Sequence, residues 1–196
     1  MYLDWRFRVT TWFSLAVALV CVGCAFILPE SCGAKNSMLE NAQMLILGFC
    51  LYLTCTARPQ TPLYVFISLV LFLVLAREVN FGRTLFIFAD PQNACIYPKW
   101  KDIEYGWLAH IIVGLYMLWM LVYFFWRRVW YEMWSILKNY GLPVPETLLA
   151  GGSLLISLLC DSMHHCLAEE LSEVVLYVVS AGIIYLYSRK KLVRFE

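Results

Sequence analysis

Gly106–Trp126 reads GWLAHIIVGLYMLWMLVYFFW and is followed at once by Arg127-Arg128. The run holds no Asp, Glu, Lys or Arg over 21 residues, and about 20 mostly apolar residues are what an α-helix needs to cross the hydrocarbon of a bilayer. Such a segment is hydrophobic all round, so its solvent is lipid rather than water.

Outward from this segment, five further stretches have a spanning length: 9–28, bounded by Pro29; 38–57, ended by Arg58-Pro59; 62–82; 145–163; and 169–188. Together they predict an all-α polytopic bundle of about six transmembrane helices, forming one membrane domain over 1–196. Composition agrees, with 62% hydrophobic residues and a mean hydropathy of +0.69, against roughly 45–50% apolar in soluble domains. Met1 to Arg8 is short and basic, and no small-x-small cleavage site precedes Pro29, so the first apolar run is read as an uncleaved helix. Between the third and fourth spans lies a polar loop with Asp90, Pro98, Lys99, Lys101 and Glu104. The stretch 129–140 interleaves aromatic and charged residues, as an amphipathic helix at the membrane interface does.

Orientation follows from Lys and Arg near helix ends, which favour the cytoplasm. With the N-terminus inside, ten basic residues are cytoplasmic (Arg6, Arg8, Arg58, Arg127, Arg128, Lys138, Arg189, Lys190, Lys191, Arg194) and five are outside (Lys35, Arg77, Arg83, Lys99, Lys101). An even number of spans returns the C-terminus to the cytoplasm as well.

That topology brings ionisable residues from several helices to the outer end: Glu40, Asn41 and Gln43; Arg77 and Glu78; Glu104 and His110; Asp161, His164 and His165; Glu169, Glu170 and Glu173. Charges at this level are stabilised by facing a partner or a wet cavity. Arg77 can neutralise one carboxylate, with Glu40 or Glu173 the expected partner.

Three uses of this cluster stand open. It can lock helices in register or form a binding site. It can hold a divalent metal, for which Asp161, His165 and Glu169 have suitable side chains. They would fall on one face, at spacings of four with Glu173, if the hairpin stayed helical. It can serve a membrane-embedded enzyme acting on a lipid-type substrate. Arg77 would then hold a phosphate, and Ser153, Ser157 and Ser162 offer hydroxyls outside any nucleophile-elbow pattern. A role as subunit of a larger membrane complex is a further alternative.

Most of the eight cysteines lie in apolar runs and serve as small packing residues. Cys32 and Cys95 fall in outer loops and are a candidate disulfide, with Cys160 and Cys166 a second pair. The partners expected are the lipid bilayer and a membrane protein or a second copy of the chain. Nucleic acid is not expected.

The string Arg77-Glu78-Val79-Asn80-Phe81-Gly82-Arg83, with Glu40 opening the second helix and Glu169-Glu170-x-x-Glu173 opening the last, resembles a pattern in uncharacterised small bacterial inner-membrane proteins. In that pattern an acidic pair precedes an aromatic residue, a glycine and a basic residue. Here Arg77 replaces the first acid and Asn80-Phe81 alters the middle. The resemblance implies a bacterial inner membrane and supplies no activity.

Overall fold

A computed structural model describes residues 3–33, 38–79, 81, 105–163 and 165–189. Among them run seven α-helices: α1 (Val9–Ile27), α2 (Met38–Cys55), α3 (Pro62–Glu78), α4 (Gly106–Trp126), α5 (Val129–Tyr140), α6 (Val144–Ser162) and α7 (Cys166–Ser188). Their ends follow local chemistry. Pro29 lies just past α1, Pro62 opens α3 and Pro145 lies in the first turn of α6, where a missing N–H is tolerated. Gly141 stops α5 with φ 72°, and Arg128 takes φ 51° at the corner between α4 and α5.

The central element is α7. It packs against α6, α2 and α1, and α2 in turn carries α3. The buried apolar residues follow that arrangement. Leu167, Leu171, Val174, Val175 and Val179 of α7 meet Cys21 of α1, while Tyr177 and Ala181 meet Leu47 and Cys50 of α2 and Leu71 of α3. By contrast α4, the opening segment, packs chiefly on α3 and α5 and buries only Gly106 and Met120. An apolar helix left uncovered on most of its surface is accommodated by a lipid solvent, which matches its side chains as well as a neighbouring helix would.

Five helices, α1, α2, α4, α6 and α7, are long and apolar enough to cross a membrane. The third segment is shorter than its sequence suggests. It ends at Glu78 rather than at 82 and has 17 residues, about 26 Å at the helical rise, against a core of about 30 Å. The hairpin after α6 also breaks: α6 stops at Ser162 and α7 starts at Cys166. Asp161 and His165 therefore do not continue the helical face that carries Glu169 and Glu173.

Two short contacts tie the ends of the bundle. Leu3–Asp4 pairs in parallel with Leu142–Pro143, strapping the start of the chain to the α5–α6 junction. The 3-10 turn Glu30–Gly33 leans on the start of α7, so closely that a Cβ on Gly33 would lie 2.5 Å from the Leu167 backbone.

Candidate functional site

At the end of the bundle where α2 begins and α3 finishes, a polar network joins four helices. Gln43 of α2 donates from Nε2 to Oε2 of Glu170 at 2.7 Å and to that residue's backbone carbonyl at 3.0 Å. Arg77 of α3 donates from Nη2 to Glu173 Oε1 at 2.9 Å, one of the two partners expected for it. Its Nε lies 3.7 Å from Glu78 Oε1. Tyr177 of α7 donates its hydroxyl to that same Glu78 oxygen at 2.8 Å. Ser157 of α6 completes the set with a long contact to Glu173 Oε1 at 3.4 Å.

Local sequence explains the convergence. Glu170, Glu173 and Tyr177 are separated by three and four residues, which lines them on one face of α7. That face meets the first turns of α2 and the last turn of α3, because α2 and α3 are antiparallel neighbours. Burial is uneven: the Glu78 and Glu173 side chains are 6% and 9% exposed, whereas that of Arg77 is 58% exposed. The acids are inside and the guanidinium stands at the edge. Glu40 is also buried here and lies within electrostatic range of Glu78 and Glu170.

Not every predicted residue joins this network. Asp161 and His165 are exposed at the hairpin bend, and His165 Nδ1 faces Glu30 Oε1 at 3.9 Å. Glu30 also accepts from the Leu167 backbone N–H at 3.2 Å, so it caps α7 from the first loop. Glu169 is half-buried in the first turn of α7. Among the described residues, no three His, Cys, Asp or Glu side chains gather as they would around a metal ion, Asp161, His165 and Glu169 included. The broken hairpin is the physical reason, since it removes the shared helical face. His110 occupies an exposed position on α4. Ser153 and Ser162 bond backbone carbonyls of their own helix, Leu149 and Leu159. Cys160 and Cys166 are free thiols, and Cys95, the expected partner of Cys32, lies outside the described residues, as does His164.

A second buried polar centre lies at the opposite end, and sequence reading passed over it. Glu146, in the first turn of α6, is fully buried and accepts at Oε1 from Thr11 Oγ1 at 2.6 Å and from Thr10 Oγ1 at 3.0 Å. Asp4 is buried beside it in the structure's N-terminal strap, pairs with Arg8 and accepts from the Arg6 backbone N–H at 3.0 Å. Glu146 Oε2 and Arg8 Nη1 are buried without a protein partner among the described residues. Glu146 is more than a hundred positions from Thr10 and Thr11 in the chain, so no local spacing announces their meeting. Tyr177 did carry a legible signal, because it stands four residues after Glu173 on the same helix.

Compared with known proteins, the chain matches no family model, no curated protein and no solved structure.

Proposed function

We propose that this chain is a six-span inner-membrane protein of bacterial type with both termini in the cytoplasm, whose outer-face network locks α2, α3, α6 and α7 in register so that the protein acts by binding rather than by catalysis. The short α3 is counted as the sixth span. Its packing beside α2 and the shared level of Glu40 and Glu78 support this, and a helix of its length is accommodated by local thinning of the bilayer.

One observation carries the reading. Each of the side-chain contacts from Gln43 to Glu170, Arg77 to Glu173, Tyr177 to Glu78 and Ser157 to Glu173 crosses from one helix to another. Interhelical hydrogen bonds of this kind hold membrane bundles together where lipid offers no hydrophobic drive. A double-mutant cycle on Arg77→Ala and Glu173→Ala, read from unfolding in detergent, tests it. A coupling of about 0.5–1 kcal/mol is expected, because the guanidinium is more than half exposed and solvent screens it. Additive effects would overturn the lock.

A membrane-embedded enzyme is the second reading, favoured by one specific juxtaposition: the Ser157 hydroxyl and the Arg77 guanidinium both meet Oε1 of the Glu173 carboxylate. Ser157 and Glu173 are only 6% and 7% exposed, which places the lock first. If Ser157→Ala abolished headgroup release from phospholipid vesicles while leaving stability unchanged, the order of the two readings would reverse. Membership of a larger complex is compatible with the uncovered surface of α4, and co-purification in mild detergent tests it.

A further inference from the structure

At the end of the bundle opposite the outer-face network, two adjoining cavities meet beneath α5. The first is an apolar cleft of about 280 Å³ between α3, α5 and the end of α7, walled by Phe66, Ile67, Met133, Leu137, Ile183 and Ile184. The second is a niche of about 190 Å³ lined by Arg58, Pro59, Thr61, Ile136 and Tyr140. Tyr64, Ile136 and Tyr187 line both, so the two adjoin at these side chains.

The niche differs chemically from the cleft. Arg58 contributes an exposed cation at its mouth, and Tyr64, Tyr140 and Tyr187 contribute phenols. Thr61 is the residue before the first turn of α3, a place where a hydroxyl ordinarily caps the helix. Here it makes no cap bond, and its Oγ1 is buried without a partner among the described residues. The cap is taken by Glu132 of α5, which accepts from the Leu63 backbone N–H at 2.9 Å. The Tyr187 hydroxyl is engaged with the Gly141 carbonyl at 2.6 Å. What is left to meet a ligand is the Arg58 guanidinium, the Thr61 hydroxyl and the phenols of Tyr64 and Tyr140, beside an apolar cleft.

From these features we infer that the two cavities form one site for an anionic phospholipid of the adjacent leaflet. Arg58 and the Thr61 hydroxyl hold the phosphate diester, and an acyl chain lies in the cleft under α5. Charge complementarity selects a net anion: a guanidinium pairs with phosphate oxygens through charge-assisted hydrogen bonds, and a zwitterionic headgroup would set a second cation beside it. The adjoining apolar cleft selects a lipid over a free phosphate. The surroundings place the site at headgroup level: exposed Trp130, Tyr131 and Trp134 on α5 are side chains that sit at a membrane interface, and Arg127 and Arg128 flank them. Glu132 is the acid nearest to the helix start, and its carboxylate is spent on the cap. The inference rests on the membrane reading but not on the role of the outer-face network, so either can fail alone.

Native mass spectrometry of the full chain in detergent tests it, titrating phosphatidylglycerol against phosphatidylcholine of the same acyl composition. Wild type is expected to retain phosphatidylglycerol about tenfold more tightly, a difference that Arg58→Gln removes and Arg58→Lys largely keeps. Thr61→Val lowers retention of phosphatidylglycerol, and Ile184→Phe, which fills the cleft, lowers retention of both lipids. Should Arg58→Gln fail to fold, the last two variants still read the site. The inference is overturned if Arg128→Gln weakens retention as much as Arg58→Gln does, because attraction would then be diffuse. It is equally overturned if inorganic phosphate displaces the lipid at matched concentration, or if the Ile184→Phe variant binds as wild type does.

Discussion

Two glutamates of the network joining α2, α3, α6 and α7 are held by different kinds of donor, and the difference sets which substitution matters more. Tyr177 and Glu78 are both 7% exposed and their bond is 2.8 Å long, so Tyr177→Phe takes the short donor from a buried carboxylate, leaving it the longer Arg77 contact, and is expected to destabilise by about 1–3 kcal/mol. Arg77 lies 2.9 Å from Glu173 but is 58% exposed, so Arg77→Ala should cost less, about 0.5–1 kcal/mol. Equilibrium unfolding in detergent of the two variants checks the ranking, which the reverse order would refute. The other buried acid gives a second comparison. Thr11 is fully buried and 2.6 Å from Glu146, whereas Thr10 is only partly buried and 3.0 Å away. Thr11→Val should therefore lose about 1–3 kcal/mol, and Thr10→Val visibly less, in the same measurement. Of these residues Arg77, Glu78 and Glu173 were legible in the sequence, because charge in an apolar run stands out. Thr11 and Glu146 were not, since a threonine in a helix start and a glutamate in a first turn are ordinary.

At the scale of the element, helix boundaries were legible wherever proline or paired arginines mark them, as at Pro29, Arg58-Pro59 and Arg127-Arg128. The end of α3 was misjudged because Val79 to Gly82 contains no breaker before its glycine, and hydropathy alone ran the helix on to 82. The hairpin bend was legible, with spans ending at 163 and resuming at 169, and the condition for a shared face is not met: spacing of four places Asp161 and His165 on one face only while the helix lasts, and it ends at Ser162. Packing at the new helix start is decided by a glycine. Gly33→Ala would place a methyl group 2.5 Å from backbone atoms of Leu167, which cannot yield as a side chain tip would. A loss of about 1–3 kcal/mol is expected, together with faster hydrogen exchange at the Leu167 amide, which bonds Glu30. An unchanged exchange rate there would show that the 3-10 turn does not support α7.

For the whole molecule, the arrangement around α7 leaves α4 outside the core although α4 is the plainest membrane segment in the sequence. Hydropathy identifies which helices belong in lipid, but it does not say which of them is central. The basic asymmetry of ten against five makes its own prediction about the molecule in its membrane. A reporter active only in the cytoplasm, fused after Glu196, should give signal, and a tag in the 91–101 loop should be reached by an impermeant reagent from outside. Reversed labelling would invert the topology and turn the carboxylate network toward the cytoplasm.

The sequence by itself determined the all-helical, apolar character of this protein, the approximate place of the five helices long and apolar enough to cross a membrane, and the end at which Arg77, Glu78 and Glu173 meet. These are properties of composition along a line, and they follow from the length and hydropathy of each run. Only the tertiary structure decided that α7 is the axis, that Arg77 meets Glu173 while Glu78 meets Tyr177, that Glu146 is sealed among threonines, and that Arg58 and Thr61 border one cleft. Each of those depends on which faces of separate helices come together, and in lipid that choice is made by close packing and interhelical hydrogen bonds between residues far apart in the chain.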